Sequence, residues 1–180
     1  GKDTNGDINS YLTVGFTYKA VGGGQTGPVN VPFNNDNRNN YIEANNYFRC
    51  QLYNPWGGDT HAIDPANIKL KKNQKLNITV KLSGFTFSQS AKMVLCLNWE
   101  DTPDHGWEPD CFDYSRAISV NADGTYTVSW TNDTGSTVNW ATTGQSALII
   151  TMQYVGYATL ADESEDGLKA ACTIESITIE

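Results

Sequence analysis

Apolar and polar residues alternate with period two along most of this chain while helical spacing is nearly absent, which restricts the fold to strands. The alternating runs cover residues 11–20, 47–53, 75–83, 92–100, 115–121, 125–131, 146–157 and 171–180, separated by Gly, Asn, Asp and Pro. Eight or so strands in 180 residues fit one all-β domain over 1–180, a two-sheet antiparallel β-sandwich of jelly-roll type. Asn121-Ala-Asp-Gly124 is the turn of an expected hairpin. The polar stretches 21–46 and 101–113 read as long functional or metal-anchored loops, and 161–168 as one short helical turn.

The charge balance narrows the partners. Twelve basic against 20 acidic residues give a net charge of −8, whose field repels phosphate backbones and anionic membranes, so neither nucleic acid nor membrane is expected. No run of 18 apolar residues is present to span a bilayer as a helix. With only 18% charged residues, the polarity comes from Asn, Thr, Ser, Gly and Gln, as expected of a secreted protein that meets neutral ligands. The sequence starts at Gly1 without a leader pattern and reads as a mature or excised segment, so export is inferred from composition.

Parity along each strand separates core from candidate site. Leu76, Ile78, Val80 and Leu82 alternate with Asn77, Thr79 and Lys81, and Tyr126, Val128 and Trp130 with Thr127 and Ser129. Phe48, Cys50 and Leu52 likewise face a core, leaving Tyr47, Arg49, Gln51 and Tyr53 on the other side. Leu148, Ile150, Met152 and Tyr154 oppose Thr151, Gln153 and Tyr157, and Met93, Leu95 and Leu97 oppose Asn98 and Glu100. Trp99 shares the core parity, Trp140 is undecided, and Trp56 and Trp107 stand beside loop glycines, with Trp107 the better candidate for exposure.

Aromatic rings stack on the C–H face of a sugar, while Arg, Gln, Asn and carboxylates hydrogen-bond its hydroxyl rim. Tyr47, Arg49, Gln51, Tyr53, Gln153 and Tyr157 offer both kinds of group in register; the alternative is an ordinary solvated face with cross-strand packing. For catalysis, His61 and His105 lie near no nucleophile motif. Glu100, Asp101, Asp104, Glu108 and Asp110 could hold a glycosidase acid pair, though solvated or cation-binding acids are the more ordinary reading. Asp3, Asn5 and Asp7 supply oxygens at positions one, three and five of an EF-hand-like loop that lacks its glycine and its final acid. Glu175 or Asn34-Asn35-Asp36-Asn37 could instead serve a structural calcium. Cys50, Cys96, Cys111 and Cys172 lack the spacing of a zinc site, and buried thiols and disulfides are equally open.

The C-terminal half carries a family resemblance. Lys75-Leu-Asn-Ile-Thr-Val-Lys-Leu-Ser-Gly84, Val94-Leu-Cys-Leu-Asn-Trp-Glu100, Gly124-Thr-Tyr-Thr-Val-Ser-Trp130 and Cys172-Thr-Ile-Glu-Ser-Ile-Thr-Ile-Glu180 together resemble the jelly-roll carbohydrate-binding modules of bacterial plant-cell-wall hydrolases. The pattern spans about residues 70–180, and Ile174-Glu-Ser-Ile177 is similar to their Ile-Asp-Asn-Ile ending, with Glu175 in place of Asp. Asp3 to Asn9 is similar to a truncated dockerin calcium loop. The resemblance implies a secreted, non-catalytic module, covalently linked to catalytic or dockerin modules, that binds β-linked polysaccharide and commonly holds a structural calcium. Tyr47, Tyr53, Trp107 and Tyr157 would then stack on sugar rings, with Arg49, Gln51, Asn98 and Gln153 bonding hydroxyls. Two other expectations stand beside it: a small jelly-roll glycoside hydrolase resembling the short xylanases, and a protein-binding adhesin or scaffold domain.

Overall fold

The computed structural model describes residues 27–43, 46–55, 61–98, 115–133, 135–141 and 147–180. Its strands are β1 (Val29–Asn30), β2 (Asn39–Glu43), β3 (Tyr47–Tyr53), β4 (Lys69–Leu70), β5 (Lys75–Leu82), β6 (Phe85–Phe87) and β7 (Ala91–Asn98). They continue with β8 (Ile118–Val120), β9 (Gly124–Thr131), β10 (Val138–Asn139), β11 (Ala147–Gln153), β12 (Ala158–Leu160) and β13 (Cys172–Ile179). One helix, α1 (Glu165–Ala171), precedes β13, so the described chain is all-β in class. A four-stranded sheet runs β1-β13-β5-β9 and a five-stranded sheet β2-β3-β11-β7-β8, with two small pairs, β10-β4 and β12-β6. Every named strand pair is antiparallel.

The expected parity builds the core. Leu76, Ile78, Val80 and Leu82 of β5, Val128 and Trp130 of β9, and Phe48, Cys50 and Leu52 of β3 join one hydrophobic cluster with Met93, Leu95, Leu148, Ile150 and Met152. Both larger sheets thus feed a single cluster, and fully burying each such side chain is worth roughly 1.5–3 kcal/mol. Trp140 is also buried there, and Tyr126 packs against it from the edge. Phe48 and Phe85 meet edge to face, with ring centroids 5.1 Å apart.

Several expectations are corrected. Asn121–Gly124 is not a hairpin turn: β8 pairs with β7 and β9 with β5, so this connection carries the chain from one sheet to the other. The Asp123 carboxylate holds it there, accepting from the backbone N–H of Gly84 at 2.7 Å and of Phe85 at 3.0 Å. The run 146–157 divides into β11 and β12 around a turn in which the Tyr157 N–H donates to the Tyr154 carbonyl and Gly156 takes φ 83°. The helix begins later than expected, capped by Ser164, whose Oγ accepts from the Gly167 N–H at 3.2 Å. The stretch 21–46 is not all loop, since β1 and β2 fall within it; Asn39-Asn40 gives β2 the composition of a turn.

Two bulges also break the parity. Gln51 pairs with Ile149 but Tyr53 with Leu148, leaving Leu52 as the extra residue. On β13, Ile174 pairs with Val80 and Ser176 with Thr79, leaving Glu175 extra; the core set therefore shifts from Cys172 and Ile174 to Ile177 and Ile179.

Candidate functional site

On the side of the five-stranded sheet away from the main cluster, the registers align three cross-strand rows. Glu43, Tyr47 and Gln153 form one, Tyr41, Arg49, Thr151 and Val94 the next, and Asn39, Gln51, Ile149 and Cys96 the third. The half formed by β2 and β3 is polar and aromatic, whereas Val94, Cys96, Ala147 and Ile149 make a small second hydrophobic cluster, joined by Tyr47 and Ala117.

Arg49 organises the polar half. Its Nε and Nη2 donate to Glu43 Oε2 at 2.8 and 2.6 Å, Nη1 reaches Thr151 Oγ1 at 3.4 Å, and its Cζ lies 5.7 Å from the Tyr47 ring centroid. The guanidinium side chain is 1% exposed and the Glu43 side chain 40%, so the cation is buried behind a carboxylate that still reaches water. Gln153 accepts from the backbone N–H of Lys92 at 2.9 Å and thereby stitches β11 to β7.

Of the residues expected to bind ligand, Tyr47, Arg49, Gln51 and Gln153 share this face. Tyr53 does not: the bulge at Leu52 turns it toward the main cluster, where its ring centroid lies 5.2 Å from that of His61. Tyr157 is also elsewhere, because β11 ends at Gln153; it lines a small cavity of about 170 Å³ with Phe87, Thr86, Ser88 and Thr159. Asn98 ends β7 opposite Ala147. Trp107 lies outside the described residues, as do Trp56, Trp99, the acids Glu100 to Asp110, and Asp3, Asn5 and Asp7.

The face is also more enclosed than a wet sheet surface. Arg49, Gln51, Thr151 and Gln153 are buried, and so is every position of β11. The signal was present as uninterrupted apolar runs, Met93-Val-Leu-Cys-Leu97 and Leu148-Ile-Ile150, which mark a strand buried on both sides rather than on one. Sequence reasoning also missed Tyr41 and Glu43, half-buried on this face, because they lie in the stretch read as loop.

Among the described residues no three His, Cys, Asp or Glu side chains come together to hold a metal. Asn35 bonds both the carbonyl and the N–H of Ile174 at 2.9 Å, and Glu175 accepts from Thr125 Oγ1 at 3.1 Å. No helix among the described residues is long and apolar enough to cross a membrane. No protein-family model matches the chain, and the search of curated proteins finds no match to it.

Proposed function

We propose that this chain is a jelly-roll β-sandwich that binds β-linked plant polysaccharide without cleaving it, as a secreted module linked to catalytic or dockerin modules. The observation that carries the reading is the constellation at the β2–β3 edge: Tyr41, Glu43 and Tyr47 half-buried around the fixed guanidinium of Arg49. Two antiparallel sheets sharing one cluster support the sandwich. In this reading a sugar ring stacks on Tyr47 or Tyr41, and the Glu43 carboxylate accepts from paired hydroxyls. Arg49 holds Glu43 and Tyr47 in place from behind. A structural calcium, as in the resembled modules, would be a further part of this proposal.

Affinity electrophoresis through gels containing xyloglucan, mixed-linkage glucan or glucomannan tests it. Retardation by at least one polymer, weakened in Tyr47→Ala, supports the assignment; unchanged mobility on all three overturns it. A second reading, a protein-binding scaffold domain, rests on the same half-buried aromatics, Tyr41 and Tyr47, which would form a dry hot spot against a protein partner. That reading predicts no retardation on any glycan and a protein partner in pull-downs.

A further inference from the structure

Cys50 and Cys172 belong to different sheets, β3 and β13, yet meet in the main hydrophobic cluster, 0% and 1% exposed. Side chains on and before β2 tie the two strands together. Asn40 lies directly across from Cys50 in the β2–β3 register, and its Nδ2 donates to the Cys172 carbonyl at 2.9 Å. Arg38 Nε donates to the same carbonyl at 2.7 Å, tying the start of β13 to the residues leading into β2. Both are free, buried thiols in this structure, and the Cys50 side chain acts on the Cys172 thiol.

We propose that Cys50 and Cys172 are the two halves of an inter-sheet disulfide that closes when the chain folds in the presence of a low-molecular-weight disulfide oxidant. One cysteine thiolate attacks the oxidant and expels one thiol, giving a mixed disulfide. The second cysteine thiolate displaces the other thiol from it, so the oxidant is reduced to two thiols while two cysteine S–H bonds are exchanged for one S–S bond. The timing follows from the environment. In the folded core the hydrogen bond to Cys50, and then burial, push the Cys172 thiol well above the ordinary range, leaving little thiolate for exchange. Closure therefore belongs to folding, before the core shields the pair. The loop so closed is on the order of 100 residues, long enough for a large effect on the unfolded ensemble.

The test refolds the full chain from denaturant in a mixture of oxidised and reduced glutathione, followed by alkylation, digestion and peptide mapping. The Cys96→Ala/Cys111→Ala variant is carried in parallel. The expected result is a Cys50–Cys172 linked peptide lighter by two hydrogens, and a thermal midpoint raised on the order of 10 °C that is lost on reduction. Recovery of native circular dichroism with both cysteines alkylated would overturn the proposal and leave them as small packing groups. Linkage of Cys50 to Cys96 or Cys111 in the folded wild type would overturn it equally. Should the variant fail to fold, the wild-type peptide map decides alone.

Discussion

Replacing Glu43 with Gln removes a carboxylate doubly bonded to Arg49 while nearly preserving its shape. The cost lies between two limits. Breaking a fully buried pair costs about 3–5 kcal/mol and a fully exposed pair at most about 1 kcal/mol. With Arg49 at 1% and Glu43 at 40% side-chain exposure, the guanidinium keeps its burial and loses this counter-charge, while the Thr151 contact at 3.4 Å and the Tyr47 ring remain among its partners. We expect a loss of about 2 kcal/mol, or a fall in thermal midpoint of roughly 4–8 °C for a chain of this size. Urea unfolding of wild type, Glu43→Gln, Arg49→Met and the double variant forms the thermodynamic cycle. An interaction energy of about 1 kcal/mol or more is the expected outcome. If Glu43→Gln stays within about 0.5 kcal/mol of wild type and the two substitutions add, the pair is not the organising element described above.

Three further perturbations probe other joints. Tyr154 donates to Glu163 Oε1 at 2.7 Å and accepts from the Leu160 N–H at 2.8 Å; burial, then the Glu163 bond, pushes its phenol up to about 12. Because the folded value lies above the ordinary 10.0, its contribution is full below that pH and disappears as pH rises toward about 12. An alkaline stability titration should therefore lose a component over that window in wild type that Tyr154→Phe lacks. At Gly167 a Cβ would overlap the Asp162 carbonyl oxygen and side chain, so Gly167→Ala should lower stability by about 2 kcal/mol by urea denaturation, whereas Gly27→Ala, with open space around it, should change nothing. Asp123→Ala removes the acceptor for two backbone N–H groups and should cost about 1.5 kcal/mol in thermal melts, with Asp123→Asn recovering part of it.

The strands of the core were legible because their side chains obey one rule, apolar on alternate positions, and β5 and β9 pair from Lys75 to Leu82 without interruption. What parity cannot show is a change of its own phase. The extra residues Leu52 and Glu175 alter no composition, yet the first moves Tyr53 off the candidate face and the second moves the core of β13 from even to odd positions. The sheet crossover at Asn121–Gly124 was hidden for a different reason. A turn sequence specifies local dihedrals, while the partner of each flanking strand is decided by distant contacts, here Asp123 with Gly84 and Phe85. Strand β2 escaped notice because its asparagines act through tertiary bonds: Asn40 donates to the Leu168 and Cys172 carbonyls at 2.9 Å, a gain invisible to local propensity. Tyr47, Arg49, Gln51 and Gln153 fall on one face as parity and register place them, whereas the enclosure of that face was signalled only by the uninterrupted apolar runs of β7 and β11.

The central claim is that the β2–β3 edge takes a sugar chain, and a glycan array probed with wild type and Tyr47→Ala tests it most directly, with circular dichroism confirming that both are folded. The account predicts wild-type signal confined to β-linked glucans and related hemicelluloses, reduced about tenfold in Tyr47→Ala through loss of roughly 1.4 kcal/mol of stacking. Wild-type silence across the array, or equal binding by the two folded proteins, would contradict it.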